Sequence, residues 1–197
     1  MKYCEDVERG GFFCIFGLLI SKDFSENTSI SYSSIFGNEQ EDQSTLKQFR
    51  AYQNIYFNTS SKDWELIVGG DLGMQTNTKN GDETAVMYNA LLTLRYSINE
   101  QLSITGRGEL FKDPVGFISG EIEFPNQITK GLEVYGLTFG SAYKPSSNSY
   151  IRVEARMLNE LDGQALFNNS NNPASRVEVM LTLGAFINEW EIWRKRK

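Results

Sequence analysis

The chain has 197 residues, enough for one domain or one barrel, of which 40% are hydrophobic and 22% charged, and its net charge is −6. The acidic balance argues against a nucleic-acid surface, which needs a basic patch, so no nucleic-acid partner is expected. Histidine is absent, which excludes a Ser-His-Asp triad and most catalytic zinc sites. We therefore expect no enzyme, no metal site and no cofactor.

Polar and apolar residues alternate with a period of two along most of the chain, which predicts strands rather than helices. Residues 1–10 are predicted to be an irregular segment, with a poor extra strand as the alternative, and residues 189–197 a basic tail. About nine strands are predicted between them, at 11–21, 27–37, 47–58, 63–75, 84–98, 101–112, 131–144, 148–158 and 175–188. The expected organisation is a single all-β domain spanning 1–197.

The lengths of the strands and of their connections favour a membrane barrel. Most predicted strands have ten residues or more, whereas a soluble strand usually has about five or six and a tilted membrane-crossing strand about nine to eleven. Short polar turns alternate with long links along the whole chain, as in outer-membrane barrels, which have tight turns at one end and long loops at the other. The long link 113–131 contains alternating apolar residues. We expect it to form an extra outer hairpin, with an inward-folding constriction as the alternative.

Each predicted strand has one apolar and one polar face. In 148–158, Ile151, Val153 and Ala155 alternate with charged residues, and aromatic residues lie near strand ends, as in interfacial girdles. Charges of both signs at mid-strand are costly in a dry core but remain hydrated in a water-filled lumen. The candidate pore-lining residues are Arg50, Glu65, Asp71, Arg95, Arg107, Glu109, Arg152, Glu154 and Arg156.

These patterns predict an antiparallel, up-and-down transmembrane β-barrel. The odd strand count places the two chain ends on opposite sides of the membrane, whereas a complete bacterial barrel has an even count. The start of the chain also lacks the positive front of a signal peptide. We therefore expect an incomplete barrel, the C-terminal part of a larger one.

Two catalytic or nucleotide-binding interpretations are disfavoured. The glycine-rich segments 69–73 and 106–108 do not precede a helix in a βαβ unit, so they do not indicate a phosphate loop. Glu109 and Glu154 resemble a glycosidase pair only in residue type, because both lie among arginines in charge ladders.

Several segments of the chain, taken in their order along the sequence, resemble the OmpL-like outer-membrane β-barrel porins. The resemblance covers about residues 29–187. The most specific are "GRGELFKDPVG" (106–116), with Arg107, Glu109 and Asp113-Pro114-x-Gly116, and "YIRVEAR" (150–156). The chain departs from that family in its tail, which continues past the expected aromatic end.

The resemblance implies a passive pore for small solutes, in contact with membrane lipid in the outer membrane of Gram-negative bacteria. The candidate residues comprise five positive and four negative charges, so the predicted charge selectivity is weak. Two alternatives stay open: a soluble β-barrel or sandwich that binds a small ligand, and a non-conducting structural or adhesive barrel. The sequence leaves the oligomeric state open.

Overall fold

The computed structural model describes residues 2–7, 11–38, 48–76, 84–124, 129–162, 166–167 and 174–186. These residues form twelve strands: β1 (Lys2–Val7), β2 (Gly11–Ser25), β3 (Thr28–Asn38), β4 (Phe49–Ser60), β5 (Trp64–Gln75), β6 (Ala85–Ser97), β7 (Leu102–Lys112), β8 (Ile122–Glu123), β9 (Thr129–Lys130), β10 (Glu133–Ser146), β11 (Ser149–Glu160) and β12 (Ser175–Ala185). The tail predicted at 189–197 lies outside the described residues.

Ten of these strands form one antiparallel sheet in the order β1 to β7, then β10 to β12, while β8 and β9 form a separate hairpin. Each strand of the large sheet pairs with the next one along the chain, so the predicted all-β, antiparallel, up-and-down fold is confirmed. The nine predicted strands correspond to β2–β7 and β10–β12, the shortest with 11 residues and the longest with 15. Within the described residues the sheet is not closed, and its edges are β1 and β12.

β1 lies in the segment 1–10, for which the sequence predicted irregular structure with an extra strand as the alternative. It pairs along its whole length with the start of β2, and the backbone register places Cys4 opposite Cys14. The structure therefore follows the alternative, a tenth strand at the edge of the sheet.

Tight turns connect the strands at one end of the sheet. β2 and β3 are joined by residues 26–27, and β10 and β11 by residues 147–148. Between β6 and β7 the Asn99 side chain shapes the turn, because its Oδ1 accepts hydrogen bonds from the N–H of Gln101 at 2.9 Å and of Leu102 at 2.8 Å. The long links all lie at the opposite end, as the sequence predicted.

The two faces of the sheet differ in chemistry and in exposure. We call the side that carries Asp71, Arg107 and Thr138 the polar face, and the side that carries Leu92 and Phe139 the apolar face. Thr138 is 3% exposed, whereas its neighbour Phe139 is 69% exposed. From β4 to β11 the polar face is therefore the more shielded of the two and the apolar face the more exposed, the reverse of a soluble protein.

Aromatic residues lie at both ends of the apolar face. Trp64 and Tyr96 are register partners near the tight turns, with ring centroids 4.5 Å apart, and Phe49 lies near the long links. Tyr150 and Phe111, which are also near strand ends, lie instead on the polar face. The apolar face thus has aromatic residues at both of its ends, at the positions expected for interfacial girdles.

Candidate functional site

The strand register places all nine predicted residues on the polar face. Each shares a register row with polar-face positions of the neighbouring strands, from Arg50 on β4 to the three charged residues of β11. Residues separated by up to 106 positions in the chain are thus brought to one side of the sheet. The nine residues are Arg50, Glu65, Asp71, Arg95, Arg107, Glu109, Arg152, Glu154 and Arg156.

Opposite charges on this face pair with one another. Arg95 lies 3.5 Å from its register partner Glu65, and Arg152 lies 2.7 Å from Glu154 on the same strand. These side chains keep some exposure, so each pair contributes little to stability by itself. Pairing nevertheless leaves few uncompensated charges on the face.

The longest-range pair joins β7 to β11 across the strand between them. Arg156 Nε donates a hydrogen bond to Glu109 Oε1 at 2.8 Å, and its second nitrogen contacts the same oxygen. The Glu109 side chain passes over Gly136 of β10, where an added Cβ would lie 2.5 Å from Glu109 Oε1. Gly136 therefore makes the pair sterically possible.

Asp71 is held by amides rather than by a cation. Asn54 Nδ2 donates to one carboxylate oxygen at 2.6 Å and Asn89 Nδ2 to the other at 2.5 Å. These residues share one register row on β4, β5 and β6, and Ser33 Oγ extends the row by donating to Asn54 Oδ1 at 3.3 Å. Asp71 is 7% exposed, so these hydrogen bonds offset much of its desolvation.

The link 113–131 reaches the polar face through Phe117. The Phe117 ring lies 5.4 Å from Arg50 Cζ, and it covers Gly73, where an added Cβ would lie 2.6 Å from Phe117 Cζ. Arg50 Nε also donates to Gln75 Oε1 at 2.8 Å. The link thus contains the expected hairpin, β8–β9, and also sends one aromatic ring inward, the alternative that the sequence left open.

Asp113 organises the start of this link. Its buried carboxylate accepts hydrogen bonds from the backbone N–H of Gly116, Phe117, Ile118 and Ser119, at 2.8 to 3.2 Å. Gly116 has a φ of 75°, which glycine adopts without strain. The Asp-Pro-x-Gly pattern seen in the sequence is therefore a tight loop that positions Phe117.

Lys130 fixes the end of the link to β11. Its Nζ lies 2.9 Å from Glu160 Oε1 and 2.7 Å from Asp162 Oδ2. Burial lowers the pKa of Lys130, but hydrogen bonds to Asp162 and Glu160 outweigh it, and the pKa is raised above its ordinary value. The hydrogen bond from Lys130 lowers the pKa of Asp162.

The polar face contains a cleft of about 350 Å³ toward the tight-turn end. Eight of its ten lining residues are charged or carry a hydroxyl group, among them Glu65, Thr93, Arg95, Thr105 and Arg152. Such a lining suits a small hydrated solute.

Sequence reasoning missed several residues that shape this face. Asn54 and Asn89 hold Asp71, Phe117 covers Arg50, and Thr138 lies buried beside Arg107. Their positions depend on strand register, which periodicity alone does not fix.

Among the described residues, no helix is long and apolar enough to cross a membrane. In the same part of the chain, no group of three or more His, Cys, Asp or Glu residues is placed to hold a metal ion.

Comparison with known proteins gives one family match. Residues 14–188 match the family described as "Putative beta-barrel porin-2, OmpL-like". No curated protein and no solved structure matches the chain. Since the match covers most of the chain, and the fold is the long-stranded antiparallel sheet that such a porin requires, this chain belongs to the OmpL-like β-barrel porin family.

Proposed function

We propose that the chain is a channel-forming protein of the bacterial outer membrane, through which small solutes diffuse passively along the polar face. The observation that carries this proposal is the reversed polarity of the sheet. Ion pairs and amides occupy the shielded face, while apolar side chains such as Leu92, at 52% exposed, cover the other. The apolar face contacts lipid and the polar face water, and the function requires no catalytic step.

The predicted pore-lining residues would give this path weak charge selectivity. Three of the five arginines pair with a glutamate, at Arg95–Glu65, Arg152–Glu154 and Arg156–Glu109. The remaining charges of the set are Arg50, Arg107 and Asp71, a net charge of +1. A nearly neutral lining with local dipoles neither excludes nor strongly concentrates ions of one sign.

Reconstitution in planar lipid bilayers of the closed barrel that contains this chain tests the proposal. We expect discrete conductance steps and, in a KCl gradient, a reversal potential near zero. Removing the charge of either member of the Arg95–Glu65 pair leaves the charge of its partner uncompensated. Glu65→Gln should therefore shift the ion preference toward anions, and Arg95→Gln should shift it toward cations. Absence of conductance above the detergent control, or strong cation selectivity of the unaltered chain, would contradict the proposal.

The soluble alternative makes an opposite prediction about the apolar face. A soluble binding protein would bury that face, yet Leu92, Phe139 and Val153 are between 47% and 69% exposed. Purification without detergent separates the two functions, because the channel protein should aggregate and the soluble protein should remain monomeric.

A further inference from the structure

We propose that Arg107 and Thr138 form a binding site for a small oxyanion, the carboxylate or phosphate group of a solute. The inference deepens the proposed channel function by naming a class of solute, and it rests on that function for access to the site. Binding itself can be measured without conduction.

The two residues meet at the centre of the sheet. Arg107 is the middle residue of the 11-residue strand β7. Its register partner on β10 is Thr138, and Thr93 lies opposite it on β6. A solute moving along the polar face from either end would reach this row.

Both side chains have buried polar atoms that lack a partner. Nε of Arg107 and Oγ1 of Thr138 are shielded from solvent and form no hydrogen bond in the structure. Thr138 is only 3% exposed. Buried donors without partners are uncommon and destabilising, so a ligand that accepts hydrogen bonds from these two atoms would relieve that cost.

Arg107 differs in this respect from the other predicted arginines. Arg95, Arg152 and Arg156 each pair with a glutamate, and Arg50 hydrogen-bonds Gln75. Within the described residues, Arg107 forms no ion pair and no side-chain hydrogen bond. Its positive charge is therefore not paired with a carboxylate among the described residues.

The neighbouring carboxylates limit the size of that ligand. Glu109 passes over Gly136, and Glu154 lies against Gly140, where an added Cβ would lie 3.1 Å from Glu154 Cγ. Thr138 stands between these two glycines on the polar face of β10, so a carboxylate side chain borders the site on each side. Each carboxylate already accepts from an arginine, yet a bulky polyanion would still be repelled.

The chemistry of the pair selects an oxyanion. A guanidinium presents several N–H donors in a plane that matches carboxylate and phosphate oxygens. A threonine hydroxyl adds one donor beside it. A small carboxylate or phosphate satisfies both residues at once, whereas a neutral sugar or a cation leaves the charge of Arg107 uncompensated.

Thermal unfolding of the folded chain in detergent micelles tests binding directly. Inorganic phosphate and sodium acetate are titrated separately at constant ionic strength, so that the two ligand classes are distinguished. We expect a saturable rise in Tm with at least one of them, because a ligand that binds the folded state stabilises it. Arg107→Gln should raise the half-saturating concentration about tenfold or more, and Thr138→Val should raise it several-fold.

The matched control is Arg176→Gln, which removes the same charge from an arginine of β12 that pairs with Glu178 at 2.8 Å. This variant should bind the anion as the unaltered chain does. No saturable rise with either anion, or equal losses in Arg107→Gln and Arg176→Gln, would overturn the inference. Arg107→Lys distinguishes loss of binding from loss of folding. It keeps the positive charge but not the planar N–H donors, and we expect it to bind the anion with intermediate affinity.

Block of single-channel current by the same anion separates the two proposals. Conductance without anion binding overturns the oxyanion site and leaves the channel in place. Anion binding through Arg107 without conductance supports the site and contradicts the channel.

Discussion

At the scale of single residues, large polar-face side chains lie over glycines of neighbouring strands. Glu109 covers Gly136, Tyr56 covers Gly69 and Tyr150 covers Gly184. Each glycine leaves room for a long side chain to cross its strand. Glu109 can therefore reach Arg156, and the Tyr56 ring can occupy the space above Gly69. The glycines of 106–108 behave differently, because Gly106 and Gly108 lie on the apolar face in ordinary contact with Phe139 and Leu137.

Gly69→Ala should lower the stability of the folded chain. The added Cβ would lie 2.3 Å from two ring carbons of Tyr56, and such overpacking typically costs about 1–3 kcal/mol. Thermal unfolding in micelles measures the effect. In the control Gly106→Ala the nearest atom is 3.9 Å from the new Cβ, so its Tm should stay within the error of the unaltered chain; an equal loss in both variants would contradict the steric explanation.

At the scale of elements, the described parts of the link 113–131 are held by specific contacts at both of its ends. Asp113 holds its start, Phe117 lies over Arg50, and Lys130 ties its end to Glu160 on β11. The link therefore covers part of the polar face at the long-link end of the sheet. This position lets it narrow the solute path that we propose.

Asp113→Asn should loosen this link. An amide offers one acceptor oxygen where the carboxylate uses two, and its NH₂ group would face backbone N–H donors. Hydrogen exchange of residues 116–119 should become faster, and conductance should increase as Phe117 leaves Arg50. The control is Asp63→Asn in an exposed turn, and unchanged exchange in Asp113→Asn would show that the carboxylate does not hold the loop.

Acid should release the other end of the link. The pKa of Asp162 is lowered in the folded protein, so its pairing with Lys130 is complete above the ordinary aspartate pKa of about 4 and is lost as the pH falls through the folded pKa. Limited proteolysis of the link should therefore accelerate in acid. In Asp162→Asn cleavage should be faster at neutral pH and less dependent on pH, and an unchanged acid response in that variant would assign the effect to other carboxylates.

At the scale of the whole molecule, the sheet separates two environments. Its polar face holds charges of both signs in pairs, and its apolar face presents exposed aliphatic side chains between aromatic residues. Such a surface is stable only if lipid or another apolar medium covers it. The membrane is therefore part of the folded state that we propose.

Adjacent leucines of β6 test this orientation. Leu92 lies on the apolar face at 52% exposed, and Leu91 lies on the polar face. Leu92→Arg should destabilise the chain in lipid vesicles by about 2–4 kcal/mol, as for a charge near the bilayer midplane, whereas Leu91→Arg should cost much less because the arginine stays hydrated. Chemical denaturation in vesicles measures both, and equal costs would contradict a lipid-facing Leu92.

The sequence by itself determined the strands and the two faces, because alternation with period two is a local property that each segment carries. "YIRVEAR" predicts its own strand and its own polar side without reference to any partner. The alternation of tight turns and long links likewise predicts that neighbouring strands pair, as β2–β7 and β10–β12 do.

Only the tertiary structure decided which polar groups meet. Glu109 reaches Arg156 across β10 because the registers β7–β10 and β10–β11 place the two residues in adjacent rows, and Arg107 is left beside Thr138 because these two are register partners. The path of 113–131 onto the polar face was equally undetermined, since Phe117 contacts a glycine and an arginine more than forty positions earlier in the chain. Register and long-range packing depend on all the strands together, and no single segment encodes them.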